Sequence, residues 1–402
     1  TLELDRRQRQ MCIRDRPCDA PQENIGRDIC IIGPPTTSSR VAFVAEENHT
    51  VNSVELPNWP RAHGSPLFAA RIRTAPRDFE VTEQLGWEFS GHGEHDYLRI
   101  EKTGANTEWV ARQLASYAGV PAKDVGYAGL KDRHAVTRQW FSIPRWNAPV
   151  WSGLDVEGVR VVDTGRHLRK LRRGAHRANA FRIVLRCDSI PDADAIANRL
   201  AVIRQAGVPN YYGEQRFGRD GGNLRLANDW ARGRRLPRHK RGLAISTIRS
   251  FLFNEALARR VEEGSWNQFV AGDLANLDGT GSVFDVAEID DELRRRCSEM
   301  DVHPAGILAG EGSKLGPETW QSALDRGRVE AGSRSMRLPV RDLTSETADE
   351  ALTLSFTLDR GAFATAVLRE LCDVAPDHAH IKEPGEPESV IHPPSDHSAP
   401  AH

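Results

Sequence analysis

Apolar positions between residues 56 and 383 recur in short stretches, some with period 2 and some near 3.6. Leu67–Arg73 and Asp78–Glu83 read as strands separated by a break at Pro76. Asn106 or Thr107 is placed to cap a helix through Tyr117, with Val110, Leu114 and Tyr117 on one face and Gly119 as its stop. Further strands are predicted at Val125–Ala128, Gln139–Ile143 and Val159–Val162. In the stretch 181–186, Phe181, Ile183 and Leu185 alternate with Arg182, Val184 and Arg186, the mark of a half-buried strand. Asp192 caps a predicted helix ending at Gly207. Ser246 starts another that ends at Gly264, with Ile248, Phe251, Leu252 and Leu257 in phase. A last strand is expected near Leu352–Leu358 and a last helix over Phe363–Cys372. Strands and helices mix without regular βαβ alternation, which argues for an α+β protein and against a doubly wound parallel sheet.

The two ends lack this patterning. Residues 1–53 carry no sustained period, and the charged opening run, with its string Met11-Cys12-Ile13-Arg14-Asp15-Arg16, reads as disordered or not native. Gly33-Pro34-Pro35-Thr36-Thr37-Ser38-Ser39 reads as a linker, and the Pro-, His- and Ser-rich stretch 384–402 as a disordered tail. A chain of 402 residues, 39% hydrophobic and 27% charged, has room for two or three domains with real cores. No apolar run approaches the roughly 20 residues that span a bilayer, and no apolar leader is visible, so a cytoplasmic protein is expected.

Composition then narrows the chemistry. No two of the six cysteines lie within four residues of each other, so no zinc-type pair exists and reduced thiols are expected. His92-Gly93-Glu94-His95 hints at a metal pair, but its glycine context and spacing do not match a helical His-Glu-x-x-His site. No phosphate-cradling glycine motif is present, so neither a metal nor a cofactor is expected. The net charge of −2 speaks against a nucleic-acid partner until it is partitioned. Between Arg160 and Arg241 there are 20 Lys and Arg against 7 Asp and Glu, a local net of +13. Two acid-free clusters, Arg166–Arg173 and Arg232–Arg241, stand out there. Such clusters either form a solvated face or grip a polyanion, and two of them favour RNA or DNA.

The sharpest chemical string is Gly126-Tyr127-Ala128-Gly129-Leu130-Lys131-Asp132-Arg133-His134-Ala135-Val136-Thr137-Arg138-Gln139-Trp140. It places Asp132 on a loop among cations, after a short strand and a glycine turn. A loop carboxylate on a rigid scaffold can serve as nucleophile or general base. It can equally be a surface-turn aspartate paired with Arg133. No second carboxylate for glycosidase-type chemistry is evident.

The stretch Gly129–Gln139 resembles the signature of the TruD family of tRNA pseudouridine synthases. Three further strings agree in order: Arg73–Val81 with the family's first core strand, Arg169–Phe181 with its basic motif, and Val208–Gly218 with the start of its inserted domain. Arg360–Leu371 and Asp377-His378-Ala379-His380-Ile381 are weaker matches. The resemblance covers roughly residues 56–383. It implies a mixed, mainly antiparallel sheet flanked by helices, with a catalytic domain over 54–206 and 344–383 and an inserted α/β domain over 207–343. It implies isomerisation of a uridine in tRNA, usually at position 13, by a cytoplasmic monomer without cofactor or metal.

Carried onto this chain, the resemblance makes Asp132 the catalytic carboxylate and makes Phe79, Asn179 and Phe181 the residues that bind and stack the target base. The partner of the carboxylate aligns with Arg73, where family members carry lysine. Arginine keeps the charge but not the geometry. Lys131, Arg169, Lys170, Arg172, Arg173 and Arg216 are expected to contact tRNA. A buried base in folded tRNA would have to be flipped into the pocket. Two other readings remain at this point. A tRNA chaperone would not need Asp132, and a carboxylate hydrolase would need a second acid beside it.

Overall fold

A computed structural model describes residues 56–189, 192–348 and 351–375, all within one compact unit. The expected N-terminal extension, linker and tail, and the string Asp377–Ile381, lie outside the described residues.

The chain first forms β1 (Ala69–Ala70), β2 (Phe79–Gln84), β3 (His95–Lys102), α1 (Thr107–Ala118), β4 (Gly126–Tyr127), β5 (Val136–Pro144), β6 (Val159–His167), β7 (Ala178–Arg186) and α2 (Ala193–Ala206). There follow β8 (Val208–Pro209), α3 (Gly222–Ala231), α4 (Arg238–Glu262), β9 (Leu274–Leu277), β10 (Val283–Asp285), α5 (Asp291–Ser298), β11 (Val302–Leu308), α6 (Glu318–Arg326), β12 (Gly332–Ser335) and β13 (Arg337–Leu338). The chain then returns through β14 (Arg341–Ala348), β15 (Ala351–Asp359), α7 (Ala364–Leu368) and β16 (Asp373–Val374).

The main sheet runs β14-β15-β7-β2-β5-β3-β6, with β4 added beside β5. Every pairing is antiparallel except β2 with β5. Val81 lies opposite Phe181, Glu83 opposite Asn179, and Phe356 opposite Phe181. Because side chains alternate across a strand, all of these share one face of the sheet. Against the sheet, α2 contributes Ile196, Leu200 and Ile203 to a core with Ile183, Leu185, Leu352 and Leu354. A neighbouring core joins Val110 and Leu114 of α1 to Leu98, Ile100, Phe141 and Ile143. The outward positions carry an ion-pair ladder, Arg182–Glu80–Arg138–Glu101–Arg160.

A second, four-stranded antiparallel sheet runs β10-β9-β11-β12. Beside it α3, α4 and α6 enclose a core of Leu224, Ile248, Trp320 and Leu324. Where the chain leaves and re-enters the first region, β8 pairs antiparallel with β13.

The α+β, mainly antiparallel architecture agrees with the sequence pattern, and several element limits differ. Of the strand expected at Leu67–Arg73 only Ala69–Ala70 forms, pairing in parallel with Asp373–Val374. Arg73 turns the chain out of extended geometry with φ +58°, and a 3-10 turn over Pro76–Asp78 precedes β2. Tyr117 is 39% exposed and leaves the buried face of α1 to Val110, Ala111, Leu114, Ala115 and Ala118. Gly119 stops that helix in the left-handed region, φ 66°, where glycine has no steric penalty. The helix expected from Ser246 starts at Arg238, because its first turns are exposed and show no apolar period. The last helix covers only Ala364–Leu368 and tightens into i→i+3 hydrogen bonds at Glu370 and Leu371. β6 runs on to His167, beyond Val162, as an edge strand with many exposed positions.

Candidate active site

The loop between β4 and β5 carries Asp132, and buried polar side chains fasten it. The Lys131 amide donates to Thr107 Oγ1 at 3.0 Å, and Thr107 Oγ1 donates to Gln139 Oε1 at 2.8 Å. Gln139 Nε2 in turn donates to the Gly129 carbonyl at 3.1 Å. Thr107 and Gln139 are both buried, so these bonds face little competition from water. Gly126 is required where β4 meets the basic loop, since a Cβ there would lie 2.4 Å from the Leu171 carbonyl oxygen.

Asp132 Oδ1 accepts the His134 amide at 3.0 Å, and Oδ2 pairs with Arg73 Nη2 at 2.9 Å. Arg73 lies over the ring of Phe79, 4.3 Å from its centroid. Its Nε is buried without a hydrogen-bond partner among the described residues. Together with the positive φ, this marks a locally costly arrangement, of the kind that clusters at functional sites. Phe79 meets Phe181 edge to face at 6.2 Å, and Phe181 stacks on Phe356 at 5.4 Å.

Next to this group runs a polar chain. Lys131 Nζ lies 3.1 Å from Glu83 Oε2 and donates to Asn179 Oδ1 at 2.8 Å. Asn179 Nδ2 lies 3.3 Å from His176 Nε2. Burial pushes the His176 imidazole down to about 4, with Lys131 and Arg360 adding to the effect. The ring is therefore neutral at pH 7, and Nε2 can accept from Asn179. These contacts orient the Asn179 amide, with its oxygen toward Lys131. Burial also raises the Glu83 carboxyl, although Lys131 and the Trp140 amide pull it back.

The fold thus brings Arg73, Phe79, Lys131, Asp132, Asn179 and Phe181 into one neighbourhood. Lys131 was expected to meet tRNA, but its ammonium is turned inward and engaged by Glu83 and Asn179. Phe79 was expected to stack on a base, but it is 5% exposed and Arg73 covers one face of its ring. Arg169, Arg172 and Arg173 are exposed on the loop after β6, with Arg173 over the Tyr127 ring at 3.7 Å. Lys170 donates to the Lys123 carbonyl at 2.6 Å. Arg216 stands apart, bonded to Ser246 Oγ at 3.0 Å. The second basic cluster is exposed on the α3–α4 connection and the first turn of α4. A cleft of about 460 Å³ opens beside His176, lined also by Asn210, Asp278, Arg334 and Arg360.

From sequence, Glu83 and Lys102 carry no role at the site, Thr107 stands only as a helix-cap candidate and Gln139 only as part of a strand and of the signature string. Glu83 had a signal, being an acid on the period-2 face that otherwise carries Phe79 and Val81. His92 Nδ1 lies 2.8 Å from the Ser90 carbonyl oxygen. Among the described residues no group of three or more His, Cys, Asp or Glu side chains is placed to hold a metal.

A carboxylate held against a cation, with an aromatic pair and an oriented amide beside it, is a set of groups able to border a flat polar ring and react with it. Comparison with known proteins agrees. The sequence model of tRNA pseudouridine synthase D (TruD) matches residues 62–227 and 223–371. The chain is 45% identical over 339 residues to tRNA pseudouridine synthase D of Methylococcus capsulatus, covering 79% of this chain and 95% of that protein. It is 42% identical over 336 residues to the enzyme of that name from Cellvibrio japonicus, covering 78% and 92%. The crystal structure of a putative tRNA pseudouridine synthase D from Methanosarcina mazei shares the fold, with a TM-score of 0.61 at 19% identity, covering 78% of this chain and 95% of that one. This chain belongs to the TruD family of tRNA pseudouridine synthases.

Proposed function

We propose that Asp132 performs the reaction of this family, the isomerisation of uridine to pseudouridine in tRNA, and that the target is the uridine at position 13. The observation that carries the reading is the 2.9 Å ion pair of Asp132 with Arg73, set beside Asn179 and Phe181. In this reading the uridine leaves its stack and enters the pocket. Phe181 borders the base, and the free N–H of Asn179 meets its polar edge. Phe79 acts beneath Arg73, as the slab that aims the guanidinium at Asp132. Asp132 attacks the sugar or the base, or removes a ribose proton. The glycosidic bond breaks, the base turns, and carbon 5 bonds to ribose carbon 1. Any bond to Asp132 is released or any ribose proton it took is returned, carbon 5 loses its proton and the freed ring nitrogen N1 gains one.

Exposed Arg169, Arg172 and Arg173 supply phosphate contacts. Segment 207–343 is read as an inserted domain whose ends are zipped by β8 and β13. Among the described residues no helix is long and apolar enough to cross a membrane. The reading takes the protein to be a monomeric cytoplasmic enzyme with tRNA as its partner. A hydrolase using Glu83 as its second acid is disfavoured, because that carboxylate is fully buried and engaged by Lys131 and Trp140. Carbodiimide-dependent primer extension on tRNA treated with the purified protein tests the reading. A new stop at position 13 that disappears with Asp132→Asn supports it. Modification at a different uridine overturns the position, and none at all overturns the activity.

A further inference from the structure

A lysine that no surface role explains sits directly behind the reactive loop. Lys102 ends β3, and only 1% of it is exposed. Its Nζ donates to the Ala105 carbonyl at 2.8 Å and to the Asp132 carbonyl at 3.0 Å, with the Lys131 carbonyl at 3.5 Å. These acceptors belong to two different segments. Ala105 leads into α1, and Lys131 and Asp132 form the loop itself. The ammonium thus ties strand, helix start and loop at one point. Its nearby charges are the Asp132 carboxylate, which attracts it, and Lys131, which repels it. Asp132 is itself paired with Arg73, and Lys131 with Glu83. No acid forms an ion pair with Lys102 among the described residues. Burying a cation in this way costs several kcal/mol. A neutral donor could hold carbonyls at less cost, so the charge itself calls for an explanation.

We propose that Lys102 is a positioning residue for Asp132: its ammonium, bonded to the Ala105 and Asp132 carbonyls, fixes the backbone of the reactive loop and so the place and aim of the carboxylate. The proposal rests on Asp132 being the catalytic carboxylate. It assigns the two cations different work: Arg73 aims the carboxylate from the pocket side, and Lys102 holds its main chain from within.

The electrostatics supply a readout. Burial pushes the Lys102 ammonium down to about 8, Lys131 adds to this, and Asp132 opposes it. Above that pH the amine loses its charge and one donor, so kcat falls as pH rises. The effect on stability has the opposite sign. An unfolded lysine keeps its proton to about 10.5. Over the interval between these values the unfolded chain binds more protons, so this group's contribution to stability rises with pH. Activity and stability therefore diverge through Lys102, whereas a merely structural lysine would make activity follow stability.

The test compares wild type, Lys102→Met, Lys102→Arg, the exposed-site control Lys123→Met and, in parallel, Asp132→Asn. Single-turnover kcat and KM on unmodified tRNA are measured from about pH 6 to 10, with urea stability alongside. Wild type and Lys123→Met are expected to lose kcat with an apparent pKa near 8 while stability holds. Lys102→Met is expected to lose kcat about 10- to 100-fold with KM nearly unchanged and no alkaline limb. Lys102→Arg keeps its charge across the range, so its residual activity should be flat above pH 8. A wild-type kcat in folded Lys102→Met overturns the proposal, as does an unchanged limb near pH 8 in Lys102→Arg. The arginine variant decides alone if the methionine variant does not fold. Full activity in Asp132→Asn instead refutes the assignment of Asp132 on which the proposal rests.

Discussion

Replacing Glu83 by glutamine preserves the shape of a fully buried side chain and an acceptor for the Trp140 amide, but removes the charge that faces Lys131. The pair is separated by 3.1 Å, and the Lys131 side chain is only 7% exposed. At that distance and an effective dielectric of about 20, the lost attraction is about 5 kcal/mol. Glutamine recovers part of this, because one carboxylate no longer has to be dehydrated. A net loss of about 3 kcal/mol follows, at the lower end for breaking a buried pair. Equilibrium urea unfolding followed by tryptophan fluorescence measures it. Removing both charges, in Glu83→Gln with Lys131→Met, should be less damaging than the sum of the single changes by about 2 kcal/mol or more. Two additive losses, each under about 1 kcal/mol, would refute the claim that this pair is dehydrated and coupled. The same variants also test Asn179. Once Lys131 is gone, the amide loses the donor that orients it, and kcat should fall with the tRNA affinity retained.

Arg73→Lys keeps a cation for Asp132 but gives up the planar contact with Phe79, so single-turnover rates should drop about 3- to 10-fold. Arg73→Met should cost about 100-fold or more, and a wild-type rate there would contradict the ion pair's role. Burial alone would raise the Asp78 carboxyl, but its bonds to Arg186 at 2.8 and 2.9 Å and to the Ala75 amide hold it below the usual carboxylate range. Its contribution is therefore present above about pH 4 and lost as pH falls further. Asp78→Asn should cost about 2 kcal/mol near pH 7 and much less near pH 3, measured by urea unfolding at both. Equal losses at the two pH values would show that the charge is irrelevant. Changing Arg169, Arg172 and Arg173 together to glutamine should raise KM for tRNA and leave kcat alone. It should also lower the salt slope of binding by about one for each phosphate no longer neutralised. An unchanged salt slope would remove this loop from the RNA interface.

The parts of this protein written in local pattern are legible from sequence. The alternation around Phe181, the Gly119 stop and the Asp192 cap each reappear in the structure as a strand face, a left-handed terminus and an N-cap. The stretch 67–73 misleads because only Ala69–Ala70 ladders, with residues about 300 positions away, and Arg71 adds a single antiparallel bridge to Arg186 before Arg73 turns the chain. The long helix looks shorter in sequence than it is, because helical phase is visible only where a face is buried, and its first turns are not. At the site, the string around Asp132 announces itself by residue type. The groups that hold it do not, because Thr107, Gln139 and Lys102 act through hydrogen bonds to loop carbonyls, amides and one another that only the folded chain assembles. Lys131 looks like a phosphate ligand among other cations. Glu83, opposite Asn179 on the neighbouring strand, draws it inward.

If Asp132 carries the isomerisation, no carbon-5 proton should leave uridine without its carboxylate. Tritium release from tRNA labelled at uridine carbon 5 tests it most directly, measured under single-turnover conditions with wild type and Asp132→Asn at matched tRNA occupancy. Wild type is expected to release tritium, and the variant, which still binds tRNA, to release none above background. Release by Asp132→Asn at the wild-type rate would contradict it.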